Sequence, residues 1–239
     1  YMNAVSGITN SCNVFMNQVA YDLGMDANGK YSDSLGVEKL MKYANLFRLN
    51  EKSGLEITEV SPTMSTSDAL RTSIGQSDLS VTTSQLARYV TTIASRGTSY
   101  ELSLLDKVTD SKGEVIEDYT PEVKGDMDVA DYTWTTVQAG MRGVAQNNAS
   151  LSSLGISVAG KTGTAQEDLT RPSHALFMGF APYENPEVGI AVRIGNGYAS
   201  SNAVDVAKDI LRYKYELADE SDIVTGAASS VDTTAVRND

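Results

Sequence analysis

The 239-residue chain predicts an α+β fold rather than an alternating α/β one, and three observations carry that expectation. The first half holds amphipathic segments at helical spacing. Residues 155–194 then hold three short apolar runs divided by Pro, Gly and Asn turns, and one more amphipathic segment follows them. Helices, then neighbouring strands, then a helix able to lie on their sheet is the order of an α+β domain.

Each element has a local reason. Residues 14–23 carry apolar side chains at helical spacing, with Asn10, Ser11 or Asn13 available to cap the start and Gly24 to stop it. Residues 37–49 form a second helix whose stripe is Leu40, Met41, Ala44 and Phe47. Residues 50–80 are polar and rich in Ser and Thr, the pattern of a long surface connection. Thr82-Thr83-Ser84-Gln85 is a capping box before the helical run 86–94, which Gly97 ends. The turn-forming Asp110-Ser111-Lys112-Gly113 predicts a hairpin between 102–108 and 114–119. Residues 131–145 read as a helix with Trp134, Val137 and Met141 on one side. Strands are expected over 155–165, 174–182 and 187–194, antiparallel to one another. Ser201 is expected to cap a last helix carrying Val204, Ala207, Leu211 and Tyr215, and from Asp219 the apolar periodicity is lost. The expected organisation is one domain over 1–218 and a disordered tail over 219–239.

Composition narrows the chemistry. Nineteen Lys and Arg against thirty-one Asp and Glu give a net charge of −12, and no basic block is present, so nucleic acid is not an expected partner. The single cysteine, Cys12, excludes an internal disulfide and any multi-cysteine zinc site, and the single histidine, His174, excludes metal sites built on several imidazoles. No metal or cofactor is expected. His174 opens the apolar run 175–180, the setting of a structural residue. Hydroxyls, lysine and carboxylates are left to carry a reaction. No apolar run approaches the ~18 residues that a membrane span requires.

Two short motifs concentrate those groups. Gly160-Lys161-Thr162-Gly163-Thr164 lies within a predicted strand. A lysine there needs a polar cleft or a partner for its ammonium, and two glycines weaken a strand unless a backbone or ligand approaches closely. Thr162 and Thr164 set hydroxyls beside the cation, a suitable group for a carboxylate. Ser11-Cys12-Asn13 precedes a helix, where plain capping is the simpler account, and Ser200-Ser201-Asn202 repeats the pattern at another helix start.

Together, Ser-x-Asn followed 150 residues later by Lys-Thr-Gly on a strand resembles the penicillin-recognising serine enzymes. The segments 10–15, 73–76 with 80–82, 85–87, 159–166 and 174–182 are similar to class B penicillin-binding proteins, in that family's order and over residues 1–218. The resemblance implies a penicillin-binding/β-lactamase-like fold, an antiparallel sheet flanked by helices. It implies a peptidoglycan D,D-transpeptidase that crosslinks D-Ala-D-Ala stem peptides by serine acyl transfer and is acylated by β-lactam antibiotics. It also implies a place on the outer face of a bacterial membrane, reached through an N-terminal anchor outside this sequence, among the cell-wall synthesis machinery. Carried over residue by residue, Ser11 and Lys161 relay a proton toward the leaving group and Asn13 orients the substrate amide. Thr162, Gly163 and Thr164 form the carboxylate-binding edge, with the Thr164 N–H as one oxyanion donor.

One departure is large. No Ser-x-x-Lys occurs in the 239 residues, and the nearest imitation, Thr109-Asp110-Ser111-Lys112, sits in the hairpin turn. The expectation is therefore of the C-terminal part of a transpeptidase domain whose nucleophile lies upstream of Tyr1, inactive by itself. Thr83 stands where the family usually has proline. A β-lactamase-like hydrolase and a β-lactam sensor share the fold and remain open. Against the class A hydrolase, no Glu between Asn13 and Lys161 has Asn four residues later.

Overall fold

The computed structural model describes residues 2–224. In chain order the helices are α1 (Ala4–Thr9), α2 (Asn13–Leu23), α3 (Asp33–Leu46), α4 (Ala69–Thr72), α5 (Thr83–Ala94), α6 (Asp131–Asn147), α7 (Ala149–Ser152), α8 (Ser200–Lys214) and α9 (Glu220–Ile223). The strands are β1 (Thr98–Tyr100), β2 (Lys107–Thr109), β3 (Val115–Asp118), β4 (Val123–Asp126), β5 (Ala159–Ala165), β6 (His174–Ala181) and β7 (Val188–Ile194).

The centre is a three-stranded sheet in the order β5-β6-β7, antiparallel throughout, as the three apolar runs predict. In β6 both faces are covered, which is why His174-Ala175-Leu176-Phe177-Met178-Gly179-Phe180-Ala181 is a nearly unbroken apolar run and not an alternating one. Ala175, Phe177 and Ala181 pack with Ala203, Val204, Ala207 and Leu211 of α8 on one face. Phe180 and Ala159 pack with Val90 and Ile93 of α5 and Trp134 and Met141 of α6 on the other. β5 is an edge strand among the described residues, so its outer row of backbone groups faces away from the sheet.

The expected capping box is present: the Thr82 hydroxyl accepts from the Gln85 backbone N–H at 3.2 Å, and the Gln85 side-chain Oε1 accepts from the Thr82 N–H at 2.7 Å. Gln85 and Arg88 are both fully buried, and they hold the incoming chain against α5. Arg88 donates to the Lys52 carbonyl at 2.8 Å, and the Gln85 amide donates to that of Glu51. Nearby, partial burial pushes the Glu59 carboxyl up. Hydrogen bonds from the Ser53 hydroxyl, the Gly54 N–H and the Ser84 hydroxyl outweigh it and bring the group down to about 2.

Three expectations are corrected. Ser201 does not cap α8, which starts two residues earlier than such a cap would give, at Ser200, with Ala199 at its N-cap and no side-chain cap bond. The expected hairpin is present but shorter, as β2 paired with β3, and an unexpected second ribbon pairs β1 with β4, so that 98–126 holds two ribbons and not one. Residues 219–224 include the one-turn helix α9, while the rest of the expected tail, from 225 onward, lies outside the described residues. The short α1 was not anticipated, although Asn3 and Ser6 form a reciprocal capping box at its start. No helix among the described residues is long and apolar enough to cross a membrane.

Candidate active site

Ser11 is the middle of the three residues between α1 and α2, and it caps neither helix. The N-cap of α2 is Cys12, which makes no side-chain cap bond. Ser11 instead follows the C-cap of α1 with φ 50°, in the left-handed region that favours glycine. Its N–H donates to the Ile8 carbonyl at 3.1 Å and the Cys12 N–H donates to that of Gly7 at 2.9 Å. This pair of bonds is the Schellman arrangement, with serine in the position usually given to glycine. A left-handed L-residue costs about 1 kcal/mol. Arg48, Arg96 and Glu216, however, follow the C-caps of α3, α5 and α8 in the same conformation, so the use of Ser11 is read from its hydroxyl and not from its backbone.

That use is visible. The Lys161 Nζ donates to Ser11 Oγ at 2.7 Å and to the Thr162 carbonyl at 2.8 Å. Because the ammonium can only donate, the Ser11 hydroxyl proton must point away from it. Lys161 comes from β5 and Ser11 from a turn 150 positions earlier, and α6 is the common support. On α6, a Cβ at Gly140 would meet the Ile8 Cβ at 2.7 Å, and one at Gly143 would run into the Thr9 hydroxyl, so both glycines are needed for α1 to approach. The Thr9 hydroxyl donates to the Gly140 carbonyl at 3.1 Å and fixes the register of that contact. These two glycines escaped sequence reading. Their only signal is an i, i+3 pair inside a helical segment.

The glycines of β5 divide into two kinds. A Cβ at Gly160 would strike the Phe177 ring at 2.5 Å and the Met178 carbonyl at 2.9 Å, so that glycine is demanded by packing. A Cβ at Gly163 would meet Leu176 at 3.5 Å, an ordinary contact. Gly163 lies on the same face of the strand as Lys161, and its lack of a side chain leaves that face low beside the ammonium. Thr162 and Thr164 alternate to the opposite face, on the α8 side of the same edge strand, and are half-buried. The Thr162 carbonyl and the Thr164 N–H lie on one edge of β5 by the strand's two-residue period. Asn13 is the first residue of α2 and is exposed; among the described residues its amide bonds to neither Ser11 nor Lys161. One turn further, the Asn17 side-chain Oδ1 lies 3.4 Å from the Ser73 hydroxyl, which also donates to the Leu70 backbone carbonyl at 2.7 Å, so the 73–76 segment braces the helix that presents Asn13. Among the described residues no group of three His, Cys, Asp or Glu side chains is arranged to hold a metal ion.

An edge strand bearing a lysine that donates to a serine hydroxyl held between two helices is the geometry in which the Lys-Thr-Gly and Ser-x-Asn motifs come together. A family profile, the penicillin binding protein transpeptidase domain, matches residues 1–212, and the chain belongs to that family. It is 28% identical to penicillin-binding protein 2A of Bacillus subtilis (strain 168) over 91% of this chain and 34% of that protein. It is 26% identical to the peptidoglycan D,D-transpeptidase MrdA of Haemophilus influenzae, over 86% of this chain and 35% of that protein. The structure of penicillin-binding protein 2B from Streptococcus pneumoniae (strain R6) matches with a TM-score of 0.75 at 22% identity, covering 92% of this chain and 40% of that one. The imipenem acyl-enzyme complex of penicillin-binding protein A from M. tuberculosis matches at 0.73 and 22%, covering 88% and 47%. The relatives are class B penicillin-binding proteins, as the motifs imply. The chain spans about a third of the length of the curated relatives it matches.

Proposed function

We propose that this chain supplies the proton-relay and carboxylate-binding side of a peptidoglycan D,D-transpeptidase. The acylated serine is furnished by sequence outside these 239 residues, since they contain no Ser-x-x-Lys. The observation that carries this reading is the 2.7 Å bond from Lys161 to Ser11 beside β5, an edge strand among the described residues. A stem peptide ending in D-Ala-D-Ala, or a β-lactam, lies along that edge as an added strand. Thr162 and Thr164 receive its terminal carboxylate, Gly163 leaves room on the Lys161 face for the rest of the ligand, and the Thr164 N–H faces the carbonyl oxygen. Asn13 receives the substrate amide.

The reaction then runs as acyl transfer. The nucleophilic serine gives up its hydroxyl proton to a base that comes with it from outside this chain. Its oxygen bonds to the penultimate D-Ala carbonyl carbon, the C–N bond breaks, and the departing D-Ala amine takes up one proton in exchange. With Lys161 donating to its oxygen, Ser11 has its own proton turned outward and can pass it to that amine while Lys161 replaces it. The acyl group is afterwards taken by the amine of a neighbouring stem peptide. The same reading places the whole protein at the outer face of a bacterial membrane beside the polymerising machinery. In support, one matching structure, at a TM-score of 0.74 and 24% identity, comes from a peptidoglycan synthase complex.

The test is to incubate this chain, and a longer native form carrying a Ser-x-x-Lys, with a fluorescent penicillin, then denature both and resolve them on a gel. Label is expected on the longer form and not on the 239-residue chain, since loss of a nucleophile in such sites lowers rates on the order of 10⁶-fold. Label on this chain mapped to Ser11 would move the nucleophile here. A folded longer form that takes no label would assign the protein to a non-catalytic relative.

A further inference from the structure

His174 is the one histidine of the chain, and both nitrogens of its ring are engaged. The Asn196 N–H donates to Nδ1 at 2.9 Å. Nδ1 therefore presents its lone pair, and the proton of the neutral ring is on Nε2. Nε2 has Glu167 Oε2 at 2.9 Å and Nη2 of Arg193 at 3.3 Å. A guanidinium only donates, so the Nε2 proton goes to the Glu167 carboxylate. Arg193 attends this pair as a neighbouring charge.

The position of this pair bears on the site. Glu167 belongs to the connection 166–173 between β5 and β6, in which residues 167–172 are exposed and Leu169 is 73% exposed. Asp168 bonds only inside the run, to Thr170 and, by its carbonyl, the Arg171 N–H. Among the described residues, the Glu167–His174 contact is the one side-chain hydrogen bond tying 167–172 to the sheet. His174 pairs across the sheet with Ala165, the residue after Thr164, and lies on the same face as Lys161. Its ring is 13% exposed and anchored through the Asn196 turn, while Glu167 is 76% exposed.

We infer that His174 is a positioning residue for the ligand-binding edge. Through Glu167 it fixes the direction in which the 166–173 connection leaves β5, and so the width of the edge beside Thr164. The inference rests on the transpeptidase reading above. It assigns the pair a part in holding the ligand before acylation and none in the chemical step.

Two measurements test it. Long-range ¹H–¹⁵N NMR of the single imidazole in this chain should show the Nε2–H tautomer, with its signal altered by Glu167→Ala and retained by Glu167→Gln, whose carbonyl still accepts. In the acylating form, Glu167→Ala should weaken the reversible benzylpenicillin complex roughly tenfold, the scale of one charge-assisted hydrogen bond, and change the acylation rate constant by less than about threefold. Glu167→Gln should restore most of the affinity. The exposed Glu167 side chain makes a folding failure in these variants readily separable by melting. An Nδ1–H ring, an unchanged reversible complex in Glu167→Ala, or an equal fall in both constants would each overturn the inference. A wild-type acylating form that takes no penicillin would overturn the transpeptidase reading and this role with it, whatever tautomer the NMR reports.

Discussion

Ser11 and Lys161 share one hydrogen bond, yet they are carried by unlike supports. Lys161 rides on a strand whose register is fixed by seven cross-strand pairs from Ala159↔Phe180 to Ala165↔His174, with helices on both faces of the sheet. A one-residue slip there would exchange its two buried faces, so the lysine's direction is fixed by the whole core. Ser11 sits on a strained turn after a six-residue helix, and its place depends on the notch that Gly140 and Gly143 leave in α6. One side of the cleft is held by sheet register and the other by a single close helix contact. The two sides should therefore respond differently to substitution.

The largest expected effect is chemical. Lys161→Met in the acylating form should lower penicillin acylation by about 10²–10⁴-fold, the usual range for a proton-transfer group, while the melting temperature stays within a few degrees. The half-buried ammonium is replaced by an apolar chain of similar length on a strand that the core already fixes. A collapse of the fold would show that Lys161 holds the sheet together and that the two supports are less distinct than described. Next in size is Gly140→Val. The added side chain strikes Ile8 near its Cβ, which cannot swing away, so about 1–3 kcal/mol of stability should be lost in denaturant unfolding. Gly163→Ala supplies the contrast, because its Cβ enters ordinary contact with Leu176, and it should shift stability by less than about 0.5 kcal/mol. Equal losses in the two would dissolve the distinction between packing glycines and the open one.

The same contrast explains what could be read beforehand. The β5–β7 sheet was legible because both its faces are buried and its three strands are consecutive, so apolar runs and turns give its outline directly. The capping box at Thr82 and Gln85 was legible because it is local. The meeting of Ser11 and Lys161 was expected only from the family resemblance of their motifs, and physically it depends on α1 docking against α6. That contact is written in two glycines and the small Thr9 side chain, with no periodicity to expose it. Capping was the favoured local account of Ser11, and it fails because helix ends were judged singly. The short α1, which ends at Thr9, puts Ser11 after one helix rather than at the start of the next. The β1–β4 ribbon was missed for a related reason: its partners, 98–100 and 123–126, are far apart in sequence, short, and polar.

The smallest effect expected concerns the turn itself, and it separates strain from chemistry at one residue. Ser11 has φ 50°, and any side chain there places its Cβ too near the following carbonyl, at about 1 kcal/mol. Ser11→Ala and Ser11→Gly both delete the hydroxyl and the bond to Lys161, so both should lose the proton relay alike. Only the glycine variant relieves the backbone. Part of that relief is offset because glycine gives the unfolded chain more freedom to lose. The net expectation is that Ser11→Gly melts about 1–3 °C above Ser11→Ala, the reverse of the order usual for these two residues at a helix position. Paired thermal melts decide it. If the alanine variant is at least as stable, the turn carries no strain, and the left-handed position after α1 costs the fold nothing whatever side chain it holds.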